Sequence, residues 1–473
     1  MLNQWVLCEP ALPEIALLGG LTLIVLIDLF LTGKKSLTFY LSELLLVFVF
    51  VSLHAEKSVV LQVLFNGQYL LDPFAVLMKE VMVTLVFLIL AYAKSRDEFE
   101  HLRSEFIFLT LFSLLGGMVI ASAMSLLTLY LGLELLSLPL YALIALKRDS
   151  SKSGEAAIKY FVMGAMASGF LLFGFSLLYG LTGSLELPQI AMVLANTGVT
   201  STDLVLLVMI LAAIAFKLGI VPFHMWIADV YEGAPLSVTA YLACVPKLAV
   251  IALFVRIFLG ALGHSALMGQ HVLFTLGVLS MVLGNCLALV QKSLRRLLAY
   301  STVANMGLVF LAFALVSPEG YTSALFYAVT YTAASAAAFG LLLNFNRDIV
   351  NLEDLKGLHQ HRPYIAFLFL IVMLSLLGMP PLIGFEAKFL VVASLFNQGH
   401  TGLAVFTLVM SVVAAAYYLK VLKAIYFDHG SDSLHFKLNG GWGLLAININ
   451  AWALLILGLF PAAFMMVFVH LFG

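Results

Sequence analysis

The chain has 473 residues, of which 63% are hydrophobic and only 10% are charged, and its formal net charge is −1. A soluble domain carries about 25% charged residues, so this composition excludes a large soluble domain and indicates a helical protein that crosses a membrane many times. The sequence has no basic patch that would favour nucleic-acid binding, and Cys8, Cys244 and Cys286 are too widely spaced for a CxxC pair or an iron–sulfur motif.

About fourteen apolar stretches are each long enough to cross a bilayer. The first lacks the charged front and small-residue cleavage site of a signal peptide, so it is predicted to be the first span. Prolines interrupt the seventh span at Pro222 and the twelfth at Pro380-Pro381, because proline removes a helical hydrogen bond. The predicted spans are 12–32, 36–54, 74–93, 105–122, 125–146, 155–181, 203–227, 236–259, 271–291, 295–316, 321–345, 364–397, 402–426 and 443–469.

Charges in the loops predict the orientation of these spans. If the N-terminus lies outside, seventeen lysines and arginines fall on inside loops and only Lys57 falls on an outside loop, which is a strong positive-inside bias. Both termini are therefore predicted on the outer side. The inside cations are Lys34, Lys35, Lys94, Arg96, Arg103, Lys147, Arg148, Lys152, Lys292, Arg295, Arg296, Arg347, Lys356, Arg362, Lys420, Lys423 and Lys437.

The two interrupted spans also indicate an internal repeat. Residues 218–222 read LGIVP and residues 377–381 read LGMPP. Spans four to eight are predicted to recur as spans nine to thirteen, and a five-span unit must insert with opposite topology in consecutive copies. A shift of 167 residues aligns Ala157, Tyr160, Val162, Ala167 and Ser168 with Ala324, Tyr327, Val329, Ala334 and Ser335. The predicted organisation is three N-terminal helices (1–104), a first inverted repeat (105–260), a second inverted repeat (261–428), and a C-terminal loop with helix fourteen (429–473).

Six basic residues lie within the predicted spans, where a charge costs about 2.5–3.5 kcal/mol at the bilayer centre. Lys79 and Arg256 lie toward span ends, so their side chains are expected to reach the interface. The other four are expected to be buried and functional: Lys159, Lys217, Lys247 and Lys388.

Burial favours a neutral amine and a nearby carboxylate favours the ammonium, so a Glu–Lys pair that opens and closes is a proton switch. Glu134 has apolar residues for most of two turns on either side. The alternative for such a pair is a static buried ion pair that fixes helix packing.

Other polar residues near the breaks have two interpretations each. His224 follows Pro222 by two residues and either relays protons, with an unperturbed pKa of about 6.5, or caps or hydrogen-bonds at the interrupted helix. Glu386 and Lys388 are about 200° apart around a helix and need not touch. Glu386 either faces a polar crevice beside the break or takes part in a relay. Asp229 and Glu232 either attract protons to an inside entrance or solvate a turn.

His359 and His361 form an HxH motif in a predicted inside loop, where no third metal ligand is evident and a solvated loop is favoured. The sequence also lacks a GxGxxG motif, a P-loop and an HExxH motif, so no segment is predicted to bind a nucleotide or a catalytic zinc ion.

Four long motifs resemble the antiporter-like membrane subunits of respiratory complex I, and the resemblance covers essentially the whole chain. The combination of KYF with PFHMWIADVYEGAP is most similar to the subunit N group of NADH-quinone oxidoreductase. The resemblance implies fourteen helices with two inverted five-helix repeats and broken helices seven and twelve. The motifs are EAAIKYFVMGAMASGFLLFGFSLLYGLTGS (155–184), AFKLGIVPFHMWIADVYEGAP (215–235), RRLLAYSTVANMG (295–307) and GxPPxxGFxxKF (378–389).

The resemblance implies a proton channel in the membrane arm that is driven by redox chemistry in other subunits. It implies no cofactor on this chain, because NADH, FMN, iron–sulfur clusters and quinone are expected in other subunits. The implied partners are protons, the lipid bilayer and other membrane-arm subunits, including other antiporter-like ones, in a bacterial inner membrane with both termini periplasmic. The family's functional residues fall on Glu134, Lys159, Lys217, Lys247 and Lys388.

The chain departs from the family at two positions. Asn305 stands where the family usually has a histidine, and since asparagine cannot titrate, a relay step there needs water or another group. Glu386 stands where the family usually has an aromatic or aliphatic residue, and this extra carboxylate would stabilise the Lys388 ammonium or help proton exit. The alternatives are a subunit of a multisubunit cation/proton antiporter, a subunit of a related membrane-bound hydrogenase or other dehydrogenase complex, and a structural spacer.

Overall fold

The computed structural model describes residues 9–30, 35–56, 61–94, 103–197, 201–263, 266–345, 350–429, 441–469 and 471. Twelve helices among them are long and apolar enough to cross a membrane, which confirms an all-α polytopic membrane architecture. The total of fourteen spans and the inverted repeats stay predictions. The α-helices are α1 Leu12–Phe30, α2 Lys35–Ala55, α3 Pro73–Lys94, α4 Arg103–Ala121, α5 Leu126–Ile144, α6 Ser151–Thr182, α7 Leu187–Thr197, α8 Ser201–Leu218, α9 Met225–Gly233, α10 Leu236–Gly260, α11 Ala266–Val290, α12 Leu294–Phe313, α13 Pro318–Leu343, α14 Leu358–His361, α15 Pro363–Leu377, α16 Ile383–Asn397, α17 Thr401–Tyr426, α18 Trp442–Leu459 and α19 Pro461–Val469.

Both predicted helix breaks are present. Helix α8 ends at Leu218 and α9 begins at Met225, while α15 ends at Leu377 and α16 begins at Ile383. Gly219 and Gly378 follow the two helix ends with φ of 79° and 85°, a left-handed conformation that terminates helices and that glycine adopts without steric cost. Each connecting segment then contains a cis X-Pro peptide, at Val221-Pro222 and Pro380-Pro381.

The predicted final span 443–469 is not one uninterrupted helix. Helix α18 ends at Leu459, and α19 starts afresh at Pro461. Proline cannot supply the backbone donor that would continue α18, but its fixed φ suits the first position of a new helix.

A β-hairpin and the short helix α7 are elements that the span analysis did not predict. Strands β1 (Gln62–Leu64) and β2 (Tyr69–Leu71) pair antiparallel between α2 and α3. Tyr69 bridges Ala123, and the Leu70 amide donates to Ser122 O, so the hairpin is tied to the end of α4. These elements are too short for the span-length rule to detect.

The chain divides into two compact units. The first comprises Met1–Leu90, Glu98–Lys217 and Val245–Ala266, and the second comprises Ala91–Asp97, Leu218–Cys244 and Leu267–Gly473. In the first unit, Gly116 and Gly132 allow α4 and α5 to approach closely: a Cβ added at Gly116 would collide with the α5 backbone, and one at Gly132 would lie 2.9 Å from the Ile120 side chain. The predicted boundaries of the repeats stay predictions.

Several sequence predictions fall outside the described residues. They concern the two chain ends, Cys8, and the loop cations Lys34, Lys57, Arg96, Arg347 and Lys437.

Candidate functional site

Lys217 lies in the last turn of α8, and its side chain points to α5. The residue is only 6% exposed, and its Nζ donates a 2.7 Å hydrogen bond to the Ser137 hydroxyl. The Tyr141 ring lies one turn further along α5, with its centroid 5.9 Å from the Lys217 Nζ. A hydroxyl and an aromatic face are both favourable partners for an ammonium group, so the buried cation is accommodated without a direct counter-charge.

Glu134 precedes Ser137 by one turn of α5, on the same helix face. It does not pair with Lys217; its Oε1 accepts a 2.7 Å hydrogen bond from Ser168 of α6. Each member of the predicted Glu–Lys pair is thus held by a serine, and the two charges lie at neighbouring turns of one helix face. This is the arrangement of an open pair.

Lys247 connects directly to the helix end that carries Lys217. It lies in α10, is 1% exposed, and its Nζ donates a 3.0 Å hydrogen bond to the backbone carbonyl of Lys217. Carbonyls in the last turn of a helix lack intrahelical partners and carry the negative end of the helix dipole. Lys247 satisfies one of these carbonyls at the first break.

Lys388 has the corresponding role at the second break. Its Nζ donates to Leu376 O at 3.3 Å and to Leu377 O at 2.7 Å, the last carbonyls of α15. A Cβ at Gly378 would lie 2.8 Å from the Lys388 Cδ, and a Cβ at Gly384 would overlap Ser375 O. Glycines at these two positions therefore allow α16 and its lysine to approach the end of α15.

The Asn305 side chain in α12 is hydrogen-bonded at both ends of its carboxamide. Its Nδ2 donates to Ser301 O at 2.7 Å, and its Oδ1 accepts a 2.5 Å hydrogen bond from the Tyr327 hydroxyl. Both ends of the carboxamide are engaged, so this side chain is fixed in place and offers no titratable group.

The environment of Lys159 differs from the predicted one. Its side chain is 41% exposed and pairs with Glu155, four residues earlier on α6, at 2.7 Å. The prediction that Lys159 is buried within this chain is therefore wrong. Helix α6 buries a narrow face that includes Ala156 and Tyr160, and Lys159 falls beside that face.

His224 and Glu386 border the two helix breaks. His224 occupies the N-cap position of α9 but makes no side-chain capping hydrogen bond, so the capping alternative is wrong. The ring hydrogen-bonds with the Pro222 backbone, which agrees with the hydrogen-bonding alternative, while its Nδ1 is buried without a partner among the described residues. Glu386 is half-buried and is not one of the groups that Lys388 contacts.

The side chains of Lys79 and Arg256 were expected to extend to the interface, but within this chain they are buried and paired. The fully buried Lys79 forms an ion pair with Glu14 and donates to the Tyr69 hydroxyl at 2.9 Å. Arg256 forms two 2.7 Å hydrogen bonds to the Asp72 carboxylate. Position along a span indicated interfacial side chains, whereas partners distant in sequence hold them inside.

The acidic pair at the end of α9 is engaged by a cation. Arg296 of α12 contacts Asp229 at 3.1 Å and Glu232 at 2.9 Å. Among the described residues, no group of three histidines, cysteines or acids could hold a metal ion.

The serines at the Glu–Lys pair were missed by sequence analysis. Ser137 is 80 residues from Lys217, and Ser168 is 34 residues from Glu134. The one available signal was spacing, since Ser137 lies three residues after Glu134 and so shares its helix face.

Comparison with known proteins identifies the family of the chain. The family described as NADH:quinone oxidoreductase/Mrp antiporter, TM, matches residues 123–414. NADH-quinone oxidoreductase subunit N of Laribacter hongkongensis (strain HLHK9) is 45% identical over 461 residues, covering 96% of this chain and 94% of the relative. The chain belongs to the NADH-quinone oxidoreductase subunit N family. The resemblance in the sequence motifs is thereby confirmed.

Solved structures show the same fold. A chain of respiratory complex I from Thermus thermophilus with bound aureothin matches with a TM-score of 0.83 and 32% identity, over 96% of this chain and 98% of that one. A chain of the Mrp complex from Dietzia sp. DQ12-45-1b matches with a TM-score of 0.85 over 97% and 96% of the two chains. At 21% identity, the second likeness concerns the fold alone.

Proposed function

We propose that this chain conducts protons as an antiporter-like subunit of the membrane arm of NADH-quinone oxidoreductase. Its full-length similarity to subunit N relatives supports this assignment over a multisubunit antiporter or a hydrogenase complex. Electron transfer from NADH through FMN and iron–sulfur clusters to quinone would take place in other subunits. The chain would span the bacterial inner membrane with both termini on the periplasmic side, next to other antiporter-like subunits.

The observation that carries the proposal is the position of Lys217 on Ser137, one helical turn from Glu134. A side-chain movement of about 5 Å, the pitch of one turn, would exchange the serine hydroxyl for the carboxylate. The paired state favours the ammonium and the serine-bound state favours release of its proton, because only the carboxylate compensates the buried charge. The redox reaction would drive the alternation between these two states.

Lys247 is the proposed entry point from the inside. Its Nζ is bonded to the backbone of Lys217, so the two amines belong to one electrostatic neighbourhood. A proton arriving at Lys247 would disfavour a second positive charge at Lys217, since like charges repel more strongly at low dielectric. The incoming proton would thereby promote release from Lys217.

Lys388 is the proposed last station, and the proton would leave on the outer side near Lys388 and Glu386. At this lysine the backbone carbonyls of α15 are the hydrogen-bond acceptors. Carbonyl dipoles stabilise a transient ammonium without neutralising it, so the group can still release its proton. His224 and Lys159 remain secondary candidates in the relay.

Replacement of Lys217 tests the proposal. In membranes that contain the whole complex, Lys217→Met should reduce proton pumping and coupled NADH-to-quinone turnover by about tenfold or more, because the switching charge is lost. NADH oxidation by a soluble artificial acceptor, which needs no proton movement, should stay at the parent level. The matched control is Lys420→Met, because Lys420 is exposed.

Two other outcomes would reject the proposal. Normal pumping in Lys217→Met would remove Lys217 from the path. A variant that pumps normally per assembled complex but assembles poorly would make the chain a structural spacer. Copurification of the parent chain with a peripheral redox arm separates the proposed role from that of an independent cation/proton antiporter.

A further inference from the structure

A small cavity lies beside Lys388, and the proposed function assigns it no role. Its volume is about 10 Å³, and Tyr327, Thr330 and Tyr331 of α13, Ser375 of α15 and Lys388 line it. A single water molecule needs a cavity of roughly 10–15 Å³ and two to four polar partners. The cavity is therefore about the size of a single water molecule.

Two hydroxyls that line this cavity lack protein partners. Thr330 is 5% exposed and Ser375 is 2% exposed, and the Oγ1 of Thr330 and the Oγ of Ser375 make no hydrogen bond with any described residue. Leaving a buried hydroxyl unsatisfied costs about 1–3 kcal/mol. Thr332, two residues further along the same helix, donates instead to Ala328 O at 3.0 Å. The two orphaned hydroxyls thus mark a polar site between α13 and α15.

A hydroxyl pair leads away from the same cavity. The Tyr331 hydroxyl donates to the Thr302 Oγ1 at 2.8 Å, and Thr302 in turn donates to Leu298 O at 2.9 Å. Hydroxyl groups both donate and accept, so they can pass a proton along a chain. Tyr327 also lines the cavity, but its hydroxyl ends on Asn305, whose carboxamide cannot pass a proton on.

We propose that this cavity binds one water molecule, held by the hydroxyls of Thr330 and Ser375, and that this water carries protons between Tyr331 and Lys388. The inference rests on the proposed function, and it supplies the relay step that Asn305 cannot perform. The Tyr331–Thr302 pair thereby becomes the route past Asn305.

The transfer balances without any further reactant. After the hydroxyls turn, an incoming proton binds the Thr302 oxygen, and the Thr302 hydroxyl proton moves to the Tyr331 oxygen. The Tyr331 proton moves to the water, and one water O–H bond breaks as a new N–H bond forms on Lys388. One proton enters, one appears on the lysine, and each oxygen is neutral again.

The double variant Thr330→Val with Ser375→Ala removes both proposed ligands of the water. In membranes containing the whole complex, the rates of proton pumping and of coupled NADH-to-quinone turnover should fall by about tenfold, the effect expected for one lost relay contact. Tyr331→Phe should cause a similar loss. The matched controls are Thr332→Val and Ser394→Ala, whose hydroxyls bond to carbonyls of their own helices, and both should pump like the parent.

A second measurement detects the water independently of activity. A high-resolution cryo-electron microscopy map of the whole complex should show density within about 3.2 Å of both hydroxyls in the parent, and none in the double variant. Absence of that density in the parent, or normal pumping by the double variant, would overturn the water site.

Lys388→Met separates this inference from the proposed function. If Lys388→Met loses pumping while the double variant retains it, only the water site is wrong. If Lys388→Met also pumps normally, the assignment of Lys388 as a proton station fails.

Discussion

Two buried lysines of the first compact unit each lie close to a glutamate, and their surroundings differ. Lys79 is in direct ionic contact with Glu14 and also donates to the Tyr69 hydroxyl. Lys217 donates to Ser137, while Glu134, one turn away on the same helix, is held by Ser168. The first pair is closed and has a further hydrogen bond, so moving either charge would leave the other uncompensated.

The second pair has a serine alternative for each charged group. Exchange between serine and counter-charge then replaces one hydrogen bond with another, so the two states can lie close in free energy. In the proposed mechanism, direct contact between buried charges fixes structure, whereas separation by short hydroxyl side chains permits a switch. Variants at the closed pair and at the open pair test this difference separately.

The largest effect is expected at the closed pair. Lys79→Met leaves Glu14 buried without its cation, which typically costs 3–5 kcal/mol, so the amount of assembled complex in the membrane should fall severalfold. Native gel electrophoresis and the rate with an artificial electron acceptor measure that amount. The double variant Lys79→Met with Glu14→Gln should recover much of it.

Normal assembly of Lys79→Met with loss of pumping would contradict the proposed difference between the two lysine–glutamate pairs. Lys79 would then be a proton-carrying group like the proposed Lys217, and direct pairing would not distinguish structural lysines from functional ones.

A smaller effect is expected at the open pair. Ser137→Ala removes the hydroxyl that holds Lys217, and a hydrogen bond to a charged group contributes about 1.5–3 kcal/mol. Coupled pumping should fall by about tenfold, since one of the two switch states loses its partner. Ser113→Ala is the matched control, because Ser113 of α4 donates to a backbone carbonyl, Leu136 O. Reduced assembly with normal pumping per complex would instead make Ser137 structural.

The smallest effect concerns Glu56, which follows α2 and lies near the closed pair. Burial raises the pKa of Glu56 from 4.5 to about 7, while Lys79 acts in the opposite direction and Glu14 adds to the rise. Because the folded pKa lies above the unfolded one, the stabilisation from protonated Glu56 is complete below about pH 4.5 and is lost as pH rises through about 7.

Hydrogen exchange of the segment 61–72, corrected for intrinsic rates, should therefore show less protection at pH 8 than at pH 5. Glu56→Gln mimics the protonated acid and should abolish this difference. Glu319→Gln, at an exposed position, should leave the difference unchanged. A pH effect that persists in Glu56→Gln would assign it to another group of the cluster.

Features with a local cause could be predicted from the sequence. Pro222 and Pro380-Pro381 located both helix breaks, because proline acts on its own helix regardless of tertiary context. Lys217 and Lys247 were expected to be buried because a charge inside an apolar run is costly and needs protein around it. The structure places both in that environment.

Features that depend on tertiary partners could not be predicted. Lys79 is buried although it was expected at the interface, and Lys159 is partly exposed although it was expected to be buried. Hydropathy along a span does not tell which helix face is covered. The pairing of Lys217 with Ser137 joins residues that are distant in sequence and separated by three helix connections. Periodicity identifies a face, but the partner of that face depends on the packing of the whole unit.

The hydrogen bond from the Lys247 amine to the Lys217 carbonyl has a mechanical consequence. A charged donor forms a bond roughly twice as strong as a neutral one. A protonated Lys247 would therefore hold the end of α8 more firmly than a neutral Lys247, at the residue whose side chain moves in the proposed switch. In the proposed mechanism, the charge on Lys247 would thus set the mobility of the backbone that carries Lys217, which couples the protonation of one amine to the movement of the other.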